Sequence, residues 1–327
     1  MGDGTEQNPF TREDVLRLIE ENGGKSEGLD LSGKVFEEGI DLRDLDLIGI
    51  VLKGVSAIGA QFEGTYLIDA HLEGAELFKA HFRGTYLSFA HLDGASLGNA
   101  HLEGAYLRGA HLQQADLGHC DLRGPDTNLV EANLEGAKLY ACDLSGANIE
   151  GINWGPEYIV REEQESKRET NKEEKHELLR EAASVYRNLK KWYTEQGMYN
   201  FAGVFLFREM TVRRKSMAWW PKPWRRAWSK FISLICGYGE RPLRVVAWAA
   251  SVVLGFTIVY FLCGSDMEWW ALWKSLYFSA VSFTALGYGS WAGTDNDLMK
   301  ALGAFESFLG VFSMALFLVT FTRKMTR

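Results

Sequence analysis

Residues 70–84 read Ala70-His71-Leu72-Glu73-Gly74-Ala75-Glu76-Leu77-Phe78-Lys79-Ala80-His81-Phe82-Arg83-Gly84, three copies of a five-residue unit in which a small residue precedes a large apolar one by two positions. The unit runs outward in both directions. Leu42, Leu47, Leu52, Phe62 and Leu67 keep the register before it, with only Ala57 out of character, and Leu87, Leu92, Leu97 and so on to Leu122 keep it after. A slip around Pro125 adds two residues, after which Leu129, Leu134, Leu139, Leu144 and Ile149 resume the count. A period of five matches neither the two-residue alternation of a strand nor the helical period of about 3.6, so the stretch is a repeat architecture.

The pattern resembles the pentapeptide-repeat family, Ala-(Asp/Asn)-Leu-x-x. That resemblance implies a right-handed quadrilateral β-helix with four pentapeptides per coil, the large residue filling the coil centre and the small one fitting the corner. The 22 repeats would then make about five coils, a rod on the order of 25 Å at the ~4.8 Å spacing between strands. One coil consumes twenty residues, so Tyr66, Tyr86 and Tyr106 should form one outer ladder, and His71, His91 and His111 a second. Glu76, Ser96 and Asp116 form a third, and His81 and His101 a fourth. Five of the seven histidines thus lie on two opposite faces, beside Glu73, Asp93 and Glu103, which favour imidazolium. The sequence reads them as solvated face residues of a duplicated repeat, with no metal site expected; metal binding and pH sensing are the alternatives. Rods of this family are also known as acidic DNA mimics, but attachment to membrane segments argues against nucleic acid as partner. No nucleophile, metal cluster or phosphate loop occurs among the repeats, so no enzyme is expected.

Charge divides the chain. Residues 1–150 carry 26 acidic and 11 basic side chains, and the remainder 17 acidic and 24 basic. Cys120, Cys142, Cys236 and Cys263 show no CxxC spacing, which suggests a reducing compartment for the soluble part. The polar N-terminus has no apolar h-region and so no expected cleavable signal peptide. Thr11 opens a capping box with Asp14, and Val15, Leu16, Leu18 and Ile19 follow at helical spacing to Gly23-Gly24, the pattern of a short helix that covers an end of the repeat. Residues 157–175 mix Glu, Lys and Arg with almost nothing apolar and read as an exposed helix or linker. Leu178 to Tyr193 and about Tyr199 to Arg214 then form two amphipathic helices. They resemble a single tetratricopeptide-like hairpin, too little for a peptide-binding solenoid, and read as transmitting force or carrying an oligomer contact.

Residues 213–230 interleave seven Arg and Lys with Trp219, Trp220, Trp224 and Trp228. Directly before an apolar run, such a stretch belongs at a membrane interface. Gly237-Tyr238-Gly239 reads as a linker turn. Val245 to Cys263 is long and apolar enough to span a bilayer, as is Ala301 to Thr322 with only Glu306 interrupting. Basic residues flank both spans on their outer ends, which places both termini in the cytoplasm under the positive-inside rule. Between the spans, Trp269 to Phe283 is too short to cross and suits a re-entrant helix, because irregular backbone at membrane depth needs protein or water around it.

That short helix leads into Thr284-Ala285-Leu286-Gly287-Tyr288-Gly289. Glycines permit positive φ, so successive carbonyls can face one axis, and four such strands would stack rings of oxygen that replace the hydration shell of a potassium ion. Residues 242–327 resemble the pore module of two-transmembrane potassium channels, whose signature is Thr-Thr-Val-Gly-Tyr-Gly-Asp. The resemblance implies a homotetramer with an ion selectivity filter at Thr284, Ala285, Leu286, Gly287, Tyr288 and Gly289. It also implies filter support at Ser290, Tyr277 and Val281 and a gating hinge at Gly310; Glu306 is read as further filter support because ionisable residues in a span are rarely left facing lipid. Three positions depart from the family: Ala285 replaces a threonine that lines the innermost site, Ser290 replaces the bracing aspartate, and Val281 replaces an acidic residue found behind the filter in some relatives. Glu306, the only ionisable residue in either span, is expected to reach behind the filter and hydrogen-bond the pore helix or filter backbone. The alternative is a contact with a neighbouring subunit.

The expected molecule is a multidomain membrane protein. Residues 1–29 form a capping helix, 30–154 the β-helix, 155–216 a helical hairpin linker, 217–241 a basic Trp-rich interfacial helix, and 242–327 a two-span pore domain. The function read from this is a potassium-channel-like cation channel in the cell (inner) membrane with a cytoplasmic repeat scaffold. Potassium is its permeant ion, no organic cofactor is expected, and its partners are its own copies, the lipid bilayer and a cytoplasmic protein bound to the rod. A weakly selective cation channel and a membrane-tethered scaffold with a non-conducting pore are the alternatives. The gating stimulus is not legible: no arginine-rich voltage sensor is present.

Overall fold

Backbone amides decide how the repeat closes. Each pentapeptide makes a tight turn, as in Ala75 N–H to the Leu72 carbonyl at 3.1 Å, and pairs with the coils on both sides. Leu72 donates to the His91 carbonyl at 2.7 Å, and His91 donates back to Ala70 at 2.9 Å. Buried peptide groups are thereby satisfied coil by coil. The computed structural model describes residues 2–217, 223–263, 269–284 and 297–325, in two units, Met1–Ser216 and Met217–Arg327.

In the first unit, parallel bridges join residues twenty apart, from Asp41↔Gln61 through His101↔Asp121. The pairing is by isolated bridges, one per pentapeptide, and no longer strand forms among the described residues. A turn in every five residues leaves no room for more. The turn residue takes a left-handed conformation, which Gly74 (φ 66°) and Gly94 (φ 66°) adopt freely, although Lys79, Phe89 and Asn99 hold it too. Spacing widens to 22 from Tyr106↔Asn128 to Asp121↔Asp143 and returns to 20 at Asn128↔Asn148, so the extra residues near Pro125 are absorbed within one coil. The coil also begins earlier than the leucine register: Asp30↔Val51 and Val35↔Ser56 place Leu31 and Phe36 in the core.

The interior is a column of fully buried leucines with alanines beside them, and Phe62 stacks on Phe82 at 4.9 Å. Buried hydroxyls in the small position are satisfied: Thr65 donates to the Leu42 carbonyl at 2.7 Å and Thr85 to Phe62 at 2.6 Å. Cys120 does the same toward Leu97, and burial pushes its thiol up to about 12, so it stays protonated. The tyrosine ladder stacks at 4.6 and 4.9 Å. At the N-terminal end, α1 (Arg12–Glu21) carries the Thr11–Asp14 capping box, buries Val15, and sends Arg12 to the Asp41 carbonyl at 2.7 Å.

The other end corrects the reading of 157–175 as an exposed linker. α2 (Arg161–Arg168) buries Glu162, Glu163 and Ser166 completely or nearly so. The reason is the open end of the coil, whose amides have no further coil to pair with. Glu162 Oε1 accepts from the Leu139 N–H at 2.9 Å, taking the place of a carbonyl in the missing coil. Burial pushes the Glu162 carboxyl up to about 7, and its Oε2 has no hydrogen-bond partner among the described residues. Glu163 accepts from Tyr186 Oη at 2.7 Å and pairs with Lys215 at 2.7 Å. The hairpin of α3 (Lys172–Glu195) and α4 (Tyr199–Ser216) packs its aromatic face on the same end: Trp154 Nε1 donates to Tyr193 Oη at 2.6 Å, and Phe205 meets both rings. Buried Glu209 ties the hairpin together through Arg187, Lys190 and Arg213.

In the second unit, α5 (Pro223–Cys236) exposes Trp224, Trp228 and Leu234 and buries Ile235 and Cys236 against Val245. Trp219 and Trp220 lie outside the described residues. Gly237–Gly239 is a short 3-10 turn, as its composition suggests, with Tyr238 at φ 58°. α6 (Pro242–Cys263), α7 (Trp269–Phe283) and α8 (Asp297–Met325) follow. By length and composition α6 and residues 298–322 of α8 can each cross a membrane, and α7 has the bounds expected of the short helix between them.

Candidate functional site

Three helices of the second unit, α6, α7 and α8, meet along a polar stripe in an otherwise apolar setting. Glu306 on α8 is fully buried. Tyr260 on α6 donates its hydroxyl to Glu306 Oε2 at 2.8 Å, and Ser279 on α7 donates to Glu306 Oε1. Ser279 Oγ also lies 2.9 Å from the Val253 carbonyl of α6, so this one serine touches both spans. One residue along α8, Ser307 donates to the Ser282 carbonyl at 2.8 Å. One helical turn after Glu306 comes Gly310, where a Cβ would collide with the Phe283 carbonyl at the end of α7. A glycine is required there because two backbones touch. Residues 306, 307 and 310 of α8 thus hold residues 279, 282 and 283 of α7, the last turn before the Thr-Ala-Leu-Gly-Tyr-Gly stretch.

Placement of the expected site residues is uneven. Glu306 hydrogen-bonds the short helix within the same chain, the first of the two contacts the sequence allowed. Thr284 is exposed, with its hydroxyl donating back to the Ala280 carbonyl at 2.8 Å. Val281 is partly buried, and Tyr277 is 72% exposed, away from the Glu306 stripe. Ala285, Leu286, Gly287, Tyr288, Gly289 and Ser290 lie outside the described residues. Tyr260, Ser279 and Ser307 escaped notice in the sequence. A signal existed for part of this: Ser275, Ser279 and Ser282 recur at i, i+4 and i+7 of an apolar segment, one face of a helix, and all three are buried.

Residues 46–84, 85–124 and 126–153 match the family model for pentapeptide repeats, in eight copies. Residues 248–327 match the family model for an ion channel. The chain joins pentapeptide repeats to an ion channel domain. Solved structures of pentapeptide repeat proteins resemble part of the chain. The pentapeptide repeat protein Rfr23 from the cyanobacterium Cyanothece 51142 is 24% identical with a TM-score of 0.19, covering 44% of this chain and all of its own. HetL, a pentapeptide repeat protein involved in heterocyst differentiation regulation in Nostoc sp. strain PCC 7120, is 18% identical, TM-score 0.17, covering 44% of this chain and 94% of its own. A pentapeptide repeat protein from the Arabidopsis thaliana thylakoid lumen is 29% identical, TM-score 0.14, covering 40% and 68%. No curated protein matches the chain.

Proposed function

We propose that this chain is one subunit of a homotetrameric, potassium-channel-like cation channel whose repeat rod is a cytoplasmic scaffold of the right-handed quadrilateral β-helix type. The observation that carries the reading is the buried Glu306 stripe, because it clamps a non-spanning helix between two spanning ones at the point where the Gly-Tyr-Gly sequence begins. Ionisable groups at membrane depth are costly and seldom lack a function. In this reading the carbonyls of Ala285, Leu286, Gly287 and Tyr288 coordinate dehydrated cations, with Thr284 and Gly289 bounding them. The carboxyl-terminal end of α7, carrying partial negative charge, faces the incoming ion. Glu306 takes over bracing that Val281 and Ser290 do not supply, and Gly310 serves as gating hinge at its contact with Phe283. One subunit provides a quarter of each carbonyl ring, so conduction requires four. Both termini then lie on the cytoplasmic side of the cell membrane.

Ala285 favours a second reading, a weakly selective cation pore, since it lacks the hydroxyl of the innermost site. Efflux from liposomes reconstituted with the full chain separates these readings. Rapid, cation-dependent release with potassium at least tenfold over sodium is expected. Equal rates select the weakly selective pore, and no release above empty liposomes returns the chain to the tethered-scaffold reading.

A further inference from the structure

On one side of the repeat, Ala70-His71-Leu72-Glu73-Gly74, Ala90-His91-Leu92-Asp93-Gly94 and Ala110-His111-Leu112-Gln113-Gln114 stack directly. Their backbones are joined by the bridges His71↔His91 and His91↔His111. The imidazoles stack at 4.6 and 4.7 Å, half-buried. His71 Nδ1 lies 3.0 Å from Glu73 Oε1. One ligand atom each from His71, Glu73 and His91 fall within 4.8 Å of one another, and so do those of His91, Asp93 and His111. Glu73 Oε2 has no hydrogen-bond partner among the described residues, as is also true of Glu63 Oε2 and Glu103 Oε2 on the opposite ladder, so what sets these seats apart is their three-donor geometry.

Two imidazole nitrogens and a carboxylate oxygen are the donors of a borderline divalent transition ion such as zinc. Calcium and magnesium ask for six or more oxygens instead. We propose that this ladder is a transition-metal site in two overlapping seats, His71–Glu73–His91 and His91–Asp93–His111, with water completing the coordination. Both seats need His91, so a subunit holds one ion at a time. Tetrahedral zinc with bonds of about 2.0–2.1 Å brings its donors to roughly 3.4 Å, so the rings swivel out of the stack while the bridged backbone stays in place. Lys53, 3.1 Å from Glu73, must release it, and an exposed pair of this kind contributes little. The bound ion staples adjacent coils and raises the melting temperature of the repeat by mass action. The opposite ladder is a built-in control. His81 and His101 stack at 4.9 Å, but their nearest carboxylates, Glu63 and Glu103, stand at 3.8 Å and make no three-ligand seat of this kind.

The test is calorimetric titration of zinc chloride into the full chain, free of any affinity tag, in detergent. Gln61 and Asn133 already occupy equivalent bridged positions on these ladders, so glutamine is compatible with the coil. The expected stoichiometry is one ion per subunit, kept in His71→Gln and in His111→Gln singly and in His81→Gln with His101→Gln. His91→Gln alone, and His71→Gln with His111→Gln, should weaken binding at least tenfold while leaving the zinc-free melting curve unchanged. Zinc binding by His91→Gln as tight as in the parent chain would overturn the proposal. So would its loss in the His81–His101 variant, or a parent chain that binds no tighter than the His71–His91–His111 triple variant.

Discussion

The repeat unit and the channel unit solve the same problem, burying apolar surface while keeping the backbone hydrogen-bonded, in opposite ways. The repeat unit is complete within one chain: its centres from Leu42 to Ile149 are buried, its amides are paired coil to coil, and helices close both ends. In the channel unit, large apolar side chains such as Leu254, Ile258, Leu262, Phe308, Val311 and Leu318 are more than half exposed, and buried Glu306, Ser279, Ser282 and Ser307 lie along one internal stripe. A fold built of local repeats stabilises itself, whereas helices with bare apolar faces need lipid or further copies of themselves.

The comparison breaks first at Leu92. An aspartate there places an unpaired carboxylate inside the coil, at a cost of several kcal/mol, so Leu92→Asp should unfold neighbouring coils and abolish the cooperative melt seen by circular dichroism. An intact, cooperative melt would contradict the five-residue register.

Glu162 sharpens it at the closed end. Its folded-state pKa, about 7, lies above the ordinary value of 4.5. Its contribution to stability is therefore full below about pH 4.5 and lost as pH rises through 7, on the order of 3 kcal/mol in total. Denaturant midpoints of the repeat unit should fall across that window, and Glu162→Gln should flatten the fall. An unchanged slope in the variant would move the pH dependence elsewhere.

For the channel unit, Glu306→Leu removes the acceptor of the Tyr260 hydroxyl, worth about 1–3 kcal/mol when buried, and leaves Ser279 only the Val253 carbonyl, while Glu306→Gln keeps an acceptor for both. Potassium-over-sodium flux ratios should drop severely for Leu and mildly for Gln in assembled protein. Unaltered selectivity in Glu306→Leu would end the bracing role. Gly310→Ala forces α8 away from the Phe283 carbonyl and should cost about 1–3 kcal/mol. Gly255→Ala on α6, with nothing within 4 Å of its new Cβ, should be neutral in the same thermal assay. Equal effects at the two glycines would remove the close-contact reading.

What could be read from the chain follows from where each signal resides. A period of five is visible because no local structure imitates it, so the twenty-residue stacking, the slip at Pro125 and the ladders were all legible. The bounds of α7 were legible from apolar length, and Glu306 from being a lone charge in an apolar run. The cap was not, because Glu162 and Glu163 sit in a run of Glu, Lys and Arg that has the composition of a solvated helix. The burial of Glu162 is dictated by an unpaired amide at Leu139, and that of Glu163 by Tyr186 and Lys215 further along the chain. Tyr260 and Ser279 were missed for the same reason: a polar residue in an apolar helix shows that it has a partner, not which one.

Imaging the full chain in lipid nanodiscs by electron microscopy tests the central claim most directly. Four copies around one axis, with residues 285–288 lining it and density for ions between their carbonyls, is the expected result. A monomer or dimer with the α6 and α8 faces covered by lipid alone, and no shared axis at residues 285–288, would contradict it.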